Sequence, residues 1–129
     1  MITADQLVAH AIGDYVLQSD WMANEKTKRS VAALAHVVAY TLPFLWLTRS
    51  LLALAIILGT HFVIDRWRLA RYVCWAKNWL SPTGTHPWSE CSATGYPPDR
   101  PAWLAVWLLI IADNVMHVVI NGLAIQYLG

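Results

Sequence analysis

Apolar residues are gathered into four stretches of the chain, and this pattern predicts the helices. A helix that crosses a membrane needs about 20 mostly apolar residues. Residues 30–48 contain no Asp, Glu, Lys or Arg, and residues 101–129 contain only Asp113. Residues 50–64 are equally apolar but shorter, and residues 4–20 are interrupted by polar side chains. The pattern predicts an all-α membrane helix bundle with three transmembrane helices and an embedded N-terminal helix.

The third stretch continues into a segment in which basic and aromatic residues alternate. Trp67, Arg71, Trp75 and Trp79 recur every four residues, which places them on one side of a helix. Trp rings lie at headgroup depth in membranes, and Arg and Lys meet anionic lipid. We therefore expect an amphipathic interfacial helix that extends the third helix to about residue 80. All but one of the six prolines lie in residues 81–101, which predicts a loop over residues 81–100.

Composition supports a lipid environment for a single predicted membrane domain, with helices at about residues 4–20, 30–48, 50–80 and 101–128. Hydrophobic residues make up 57% of the chain and charged residues 13%, whereas ordinary soluble domains have roughly 45–50% and 25%. The formal net charge of +1 gives no reason to expect nucleic acid, which needs clustered positive charge. Two cysteines are too few for a disulfide scaffold. The predicted partner is therefore the lipid bilayer.

Lys and Arg residues fall almost entirely on one side of the predicted bundle. If four helices cross the membrane in alternation, Arg49 alone lies on one side. The other side receives Lys26, Lys28, Arg29, Arg66, Arg68, Arg71, Lys77 and Arg100. Basic loops of membrane proteins accumulate in the cytoplasm. The distribution predicts a multi-pass protein whose basic loops are cytoplasmic.

Ionisable side chains recur inside the apolar stretches in a regular pattern. Three pairs of a histidine and an aspartate are each separated by four residues: His10 with Asp14, His61 with Asp65, and Asp113 with His117. This spacing places both members of a pair on one helix face. Ionisable residues cost about 2.5–3.5 kcal/mol each at the centre of a membrane helix, so they normally face the protein interior and mark a function. At about 1.5 Å per residue, the pairs can converge within roughly 15 Å of the cytoplasmic helix ends.

Carboxylate oxygen and imidazole nitrogen together form a set of ligands for a divalent metal ion. These ligand types suit Zn, Mn or Fe, and metal sites in helix bundles draw inward-facing ligands from several helices. His36 adds an imidazole from the remaining helix. The predicted ligands are His10, Asp14, His36, His61, Asp65, Asp113 and His117. Gln18 and Asn121 extend two of the helix faces by another turn, and we expect their amides to orient the ligands.

Two other interpretations of the His and Asp residues stay open. The pairs can hydrogen-bond to one another and hold the helices together without a metal. They can also line a path for protons or ions, in which case a bundle of only four helices would have to form a homo-oligomer to enclose a pore. A bound metal is favoured, because so many acceptors crowded together without a cation would repel one another.

The N-terminal segment HAIGDYVLQSDWMANEKTK carries a more specific motif. It resembles the signature of a family of small bacterial and phage integral membrane proteins, a domain of unknown function. That signature is His-x3-Asp-(Tyr/Phe)-x-Leu-Gln, followed by Ser/Thr-Asp-Trp and a Lys-containing stretch. His36, the His61 and Asp65 pair, and the segment from Asp113 to His117 match later parts. The resemblance implies a polytopic protein of the bacterial inner (cytoplasmic) membrane and supplies no reaction.

The ligand set and the neighbouring arginines favour a metal-dependent hydrolase that acts on a phosphoester or lipid-like substrate. In this hypothesis one or two metal ions activate water, and Asp14, Asp65 and Asp113 are the catalytic carboxylates. Arg66 and Arg68 would neutralise the phosphate of the substrate. The alternatives are a non-enzymatic membrane protein with a structural polar cluster, either a phage-encoded envelope modifier or a partner-binding subunit, and a small proton or ion carrier.

Overall fold

The computed structural model describes residues 2–129, and all regular structure there is helical. The α-helices are α1 (Ala4–Ala11), α2 (Asp20–Glu25), α3 (Ser30–Thr41), α4 (Leu51–Trp67), α5 (Ala70–Lys77), α6 (Trp88–Cys91) and α7 (Ala102–Leu128). A π-helical turn (Ile12–Val16) follows α1, and 3-10 turns follow α3 (Leu42–Trp46) and α5 (Asn78–Leu80). The predicted all-α class is confirmed.

The helices form two compact units, and their boundary interrupts a predicted helix. One unit comprises the chain up to Trp67 together with His117–Gly129, and the other comprises Arg68–Met116. The helix expected over residues 50–80 is not continuous, because Arg68 has a φ of 52°. This left-handed conformation ends α4 and redirects the chain into α5. Within the second unit, the Arg68 guanidinium donates to the Ala93 carbonyl at 2.8 Å.

The N-terminal segment is not a single helix over residues 4–20. After α1, the Leu17 N–H donates to the Ile12 carbonyl at 2.9 Å, a hydrogen bond that spans five residues and defines the π-helical turn. A separate helix, α2, starts after Ser19, whose side chain caps it, as serine commonly does at this position. The π turn therefore ends the predicted helix early, and it carries Asp14.

The first unit is packed around Tyr40 and Phe44, two fully buried rings from α3 and its 3-10 turn. Leu54 and Ile57 of α4 and Ala124 of α7 complete this core. Full burial of a large apolar side chain such as Phe44, Leu54 or Ile57 contributes roughly 1.5–3 kcal/mol to the stability of the fold. The core therefore holds α3 and α4 together, and these two helices carry three of the four clustered polar residues described below.

Gly13 allows the π turn to approach α3 closely at Tyr40. A Cβ atom at Gly13 would lie 2.6 Å from Tyr40 Cδ2 and 2.9 Å from the Tyr40 carbonyl oxygen. Carbon atoms in contact normally lie about 3.5–4.0 Å apart. The missing side chain at Gly13 therefore sets the distance between the neighbouring Asp14 and α3.

One helix among the described residues is long and apolar enough to cross a membrane, whereas three were predicted. This helix is α7, with 27 residues. The second apolar stretch forms a shorter segment, Ser30–Trp46, because α3 gives way to a 3-10 turn that contains Pro43. α4 has 17 residues and includes Asp65 and Arg66. By length and composition, the structure supports one candidate span in place of three.

The second unit has its own small core, formed by Cys74, Tyr96 and Ala105. The predicted loop over residues 81–100 contains the short helix α6, in which Trp88 stacks on Tyr72 with ring centroids 4.4 Å apart. Both cysteines of the chain are free. Burial raises the pKa of the Cys74 thiol, which makes this cysteine a poor nucleophile.

Two of the four predicted interfacial residues pack within the second unit. Arg71 and Trp75 each donate a hydrogen bond of 2.9 Å to a main-chain carbonyl of the following loop. The other two, Trp67 and Trp79, are exposed, and so are Tyr72 and Val73 of α5. The predicted interfacial side is therefore exposed only in part.

Replacing Gly13 with alanine should destabilise the protein, whereas the same change at Gly59 should not. The added Cβ at Gly13 meets Tyr40, and overpacking typically costs about 1–3 kcal/mol. Gly59 lies inside α4 with no atom within 4 Å of an added Cβ, and alanine there should add about 0.5–1 kcal/mol of stability. Chemical unfolding in detergent, followed by circular dichroism, measures both effects. Equal effects would contradict the close packing of the π turn on Tyr40.

Candidate metal centre

Four buried side chains from three elements converge in the first unit. Asp14 comes from the π turn, His36 comes from α3, and His61 and Asp65 come from successive turns of α4. Each offers one ligand atom, and these atoms all lie within 4.8 Å of one another. We call these four residues the central cluster. The structure thus brings together four of the seven predicted ligands.

Five of the six distances among these ligand atoms lie within about 0.3 Å of those of a tetrahedral metal site. The Nε2 atoms of His36 and His61 are 3.0 Å apart. His36 Nε2 lies 3.2 Å from both Asp14 Oδ1 and Asp65 Oδ2. His61 Nε2 lies 3.4 Å from the same Asp14 oxygen and 3.2 Å from the same Asp65 oxygen. Zinc binds nitrogen and oxygen at about 2.0–2.2 Å, so its tetrahedral ligands lie roughly 3.3–3.5 Å apart.

Hydrogen bonds do not account for this arrangement. A neutral imidazole carries one N–H, so each Nε2 can donate to one acceptor at most. Asp14 Oδ1 and Asp65 Oδ2 are buried, and neither has a hydrogen-bond partner in the described part of the chain, although buried polar atoms normally have one. Two Nε2 atoms that face each other at 3.0 Å can share only one proton. The four ligand atoms are therefore better arranged to coordinate one cation than to form hydrogen bonds with one another.

Lys26 brings a positive charge of the protein itself to the central cluster. Its Nζ lies 2.7 Å from Asp65 Oδ2 and 3.4 Å from His36 Nε2. The contact with Asp65 is an ion pair without hydrogen-bond alignment. Lys26 was not among the predicted site residues, because it directly follows α2 and lies outside any apolar helix. The available signal was its place in the Lys-containing stretch of the N-terminal motif.

Arg66 holds the segment that carries Lys26. Its guanidinium donates to the Thr27 carbonyl at 2.6 Å, the Lys28 carbonyl at 3.2 Å and the Ser30 hydroxyl at 3.3 Å. These hydrogen bonds engage all three guanidinium nitrogens. The observed role of Arg66 is therefore structural, and its role in binding a substrate phosphate stays a prediction.

The second oxygen of each carboxylate faces another histidine. His117 Nε2 is 3.2 Å from Asp65 Oδ1. His10 Nε2 is 3.6 Å from Asp14 Oδ2. The His117 ring also stacks on His61, with centroids 3.9 Å apart. Both histidines were predicted as ligands, and in the structure they flank the central cluster, where they can orient its carboxylates.

Tyr40 connects the flanking His10 to α7. Its hydroxyl lies 2.8 Å from His10 Nδ1 and accepts a hydrogen bond from Asn121 Nδ2. The hydroxyl can in turn donate to an unprotonated His10 Nδ1, and a neutral His10 with this tautomer carries its proton on Nε2, which faces Asp14. Asn121 contacts the Tyr40 hydroxyl and not a predicted ligand directly, and its role in orienting a metal ligand stays a prediction. The signal for Tyr40 was its position four residues after His36, on the same face of α3.

The remaining predicted residues are not members of the central cluster. Asp113 is on α7, one turn before His117, in the part of the helix that belongs to the second unit. Arg68 also belongs to the second unit. Gln18 lies between the π turn and α2, so the helix face that links it to Asp14 in the sequence is interrupted. Its Oε1 has no hydrogen-bond partner among residues 2–129.

The chain matches one known protein family over nearly its whole length. Residues 2–125 match the model of the family described as "Protein of unknown function (DUF3307)". This range contains every residue of the central cluster and both flanking histidines. No curated protein and no solved structure matches the chain.

Replacing Tyr40 with phenylalanine should destabilise the protein, and the same change at Tyr127 should not. Loss of the Tyr40 hydroxyl removes a partner from the buried Asn121 amide and from His10, at a cost of about 1–3 kcal/mol. Tyr127 is 72% exposed, and surface substitutions usually change stability by less than about 0.5 kcal/mol. Thermal unfolding of both variants beside the wild type measures the difference. A Tyr40→Phe variant as stable as the wild type would rule out this hydrogen-bonded network.

Proposed function

The chain belongs to the family described as "Protein of unknown function (DUF3307)", and we propose that it is a membrane protein with a buried divalent-metal centre. The proposed ligands are the four residues of the central cluster. The observation that carries the proposal is the set of five ligand-atom distances between 3.0 and 3.4 Å. The two buried carboxylate oxygens without hydrogen-bond partners among residues 2–129 also support it. A cation would compensate their charge where hydrogen bonds do not.

Zinc fits the ligand set best, with manganese and iron as alternatives. Zinc takes four nitrogen, oxygen or sulfur ligands in tetrahedral geometry, and the distances given above agree with its bond lengths. Manganese and iron also accept imidazole with carboxylate. Manganese favours octahedral surroundings, which would need ligands beyond the central cluster. The proposal is therefore a zinc-type centre with two histidines and two aspartates.

The proposed location is the bacterial cytoplasmic membrane, with the basic loops on the cytoplasmic side. α7 is the candidate span. Val31, Leu34, Val38 and Leu42 are exposed along one side of α3 and its 3-10 turn. Their spacing makes a continuous apolar stripe, and a large exposed apolar surface is typical of a site of membrane or protein contact. The stripe supports lipid contact by the first unit in addition to α7.

The proposed activity is metal-dependent hydrolysis of a phosphoester in a lipid or lipid-like substrate. The four residues of the central cluster fill a tetrahedral site, so a catalytic water would have to bind as a fifth ligand. The cation would then lower the pKa of this water and polarise a phosphoryl oxygen. Asp14 and Asp65 would hold the cation, and the Lys26 ammonium beside them is suited to bind an anionic oxygen. The catalytic role of Asp113 rests on its sequence position one turn before His117 and stays a prediction.

A structural ion cluster is the second candidate, and the position of Lys26 favours it. With Nζ 2.7 Å from Asp65 Oδ2, the ammonium itself offsets part of the buried negative charge. In that case no metal binds, and the cluster only holds the π turn, α3 and α4 together. Metal content separates the two candidates.

Purified protein should contain about one divalent metal ion per chain, and zinc should be the main species. His61→Ala and Asp14→Ala each remove one of four ligands and should weaken metal binding by more than about tenfold. His86→Ala is the matched control, because His86 lies in the second unit, 3.7 Å from Glu90. Elemental analysis of detergent-purified protein, after dialysis against zinc, measures the content.

The same proteins test the reaction. Chromogenic phosphodiesters should be hydrolysed by the metal-loaded wild type, and chelation should stop the reaction until zinc is added back. The His61→Ala variant should be inactive. A wild type that binds no metal, or a His61→Ala variant that keeps its metal, would leave the structural ion cluster as the remaining candidate.

A cysteine introduced at Thr83 should react with a membrane-impermeant maleimide only from the cytoplasmic side. Thr83 is exposed in the second unit, whereas the native Cys74 and Cys91 are buried and should react slowly. Basic loops favour the cytoplasm, which sets the expected direction. Comparison of intact cells with inverted membrane vesicles measures it. Labelling in intact cells would reverse the proposed orientation, and recovery of the protein in the soluble fraction would contradict a membrane location.

A further inference from the structure

Within the first unit, the central cluster, Lys26 and a bound divalent ion would together carry a net positive charge. The carboxylates of Asp14 and Asp65 contribute two negative charges, the Lys26 ammonium contributes one positive charge, and a divalent ion contributes two more. With neutral histidines, the sum is one positive charge. A buried charge is costly unless an opposite charge is paired with it. The loaded centre should therefore bind one negative charge favourably.

Lys26 is the part of this centre that is most accessible from outside the protein. The Lys26 side chain is 18% exposed, whereas the side chains of Asp14 and Asp65 are 10% and 3% exposed. The two histidines of the central cluster are fully buried. Lys26 is therefore the most exposed side chain in contact with the central cluster, and a ligand would reach the centre from its side.

The position of Lys26 is set before any ligand binds. Arg66 donates to the carbonyls of Thr27 and Lys28, the two residues that follow Lys26. Arg66 itself follows Asp65 on α4, so the segment that carries the ammonium is tied to the helix that carries the carboxylate. A binding group that is already ordered loses less entropy when its ligand arrives.

We propose that Lys26 and the bound metal ion together form a binding site for one phosphodiester group. This inference rests on the proposed function, because without the metal the two carboxylates outweigh the Lys26 ammonium and the centre carries no net positive charge. An ammonium donates up to three hydrogen bonds and binds phosphate oxygen as a point charge. A phosphodiester carries one negative charge at neutral pH, which neutralises the loaded centre. A phosphomonoester dianion would overcompensate it, so the site selects diesters over monoesters.

The protein loaded with cobalt(II) tests this inference, with dimethyl phosphate as the probe. Cobalt(II) accepts the same ligand types as zinc, and its visible absorption reports changes among its ligands. Dimethyl phosphate should change the spectrum in a saturable way. Trimethyl phosphate, which has a similar shape and no charge, should not. Methyl phosphate, a dianion at alkaline pH, should bind less tightly than dimethyl phosphate.

Variants of two neighbouring lysines separate a specific contact from general attraction. Lys26→Met should weaken dimethyl phosphate binding by about tenfold or more, because a hydrogen bond to a charged group is lost. Lys28→Met should change it by less than about twofold, because exposed ion pairs contribute little. The Lys28 side chain is 66% exposed and pairs with Glu25 at 3.3 Å. If Lys26→Met does not fold, Lys26→Gln, which keeps a polar side chain without the charge, should show the same loss of about tenfold or more.

The outcomes distinguish this inference from the proposed function. Cobalt binding together with equal dimethyl phosphate affinities in the wild type and the Lys26 variants would overturn the inference and leave the metal centre intact. Tighter binding of methyl phosphate, or an equal response to trimethyl phosphate, would overturn it in the same way. Failure of cobalt and zinc to bind the wild type would overturn the proposed function, and this inference with it.

Discussion

The burial of two carboxylates among apolar helices is the constraint on which the first unit depends. Asp14 and Asp65 are both buried, and a buried carboxylate costs several kcal/mol unless cations or donors surround it. The protein surrounds them with Lys26 and with four histidines, one each from α1, α3, α4 and α7. These elements have to meet at one place for the charges to be tolerated, and this requirement determines how the helices of the unit are arranged.

Apolar packing and polar chemistry are coupled through Tyr40. Its ring belongs to the apolar core, and its hydroxyl contacts His10 and Asn121. Gly13 lets the π turn pack against the same ring, which brings Asp14 to the central cluster. A change in the packing of the Tyr40 ring should therefore shift the Asp14 carboxylate, because the π turn packs on this ring and His10 contacts its hydroxyl. Core stability and site geometry are not independent in this protein.

Local backbone geometry explains why some site predictions hold and others do not. His61 and Asp65 lie on successive turns of a regular α-helix, so their spacing of four residues was sufficient to place both in the central cluster. The π turn alters this geometry around Asp14, and His10 faces the outer oxygen of that carboxylate. Lys26 reaches Asp65 from a segment that is distant in sequence and has no periodic pattern. No helical spacing could have revealed it.

The sequence by itself determined the helical class, the apolar stretches and the pairing of histidine with aspartate on shared helix faces. These properties depend on residues within one or two turns of each other, where hydrogen-bond geometry is regular. The tertiary structure decided which carboxylate oxygens converge on His36 and His61, that Arg66 binds main-chain carbonyls, and where α4 ends. It also decided that only α7, among residues 2–129, has the length of a membrane span. These outcomes depend on contacts between segments far apart in the chain, which no local pattern encodes.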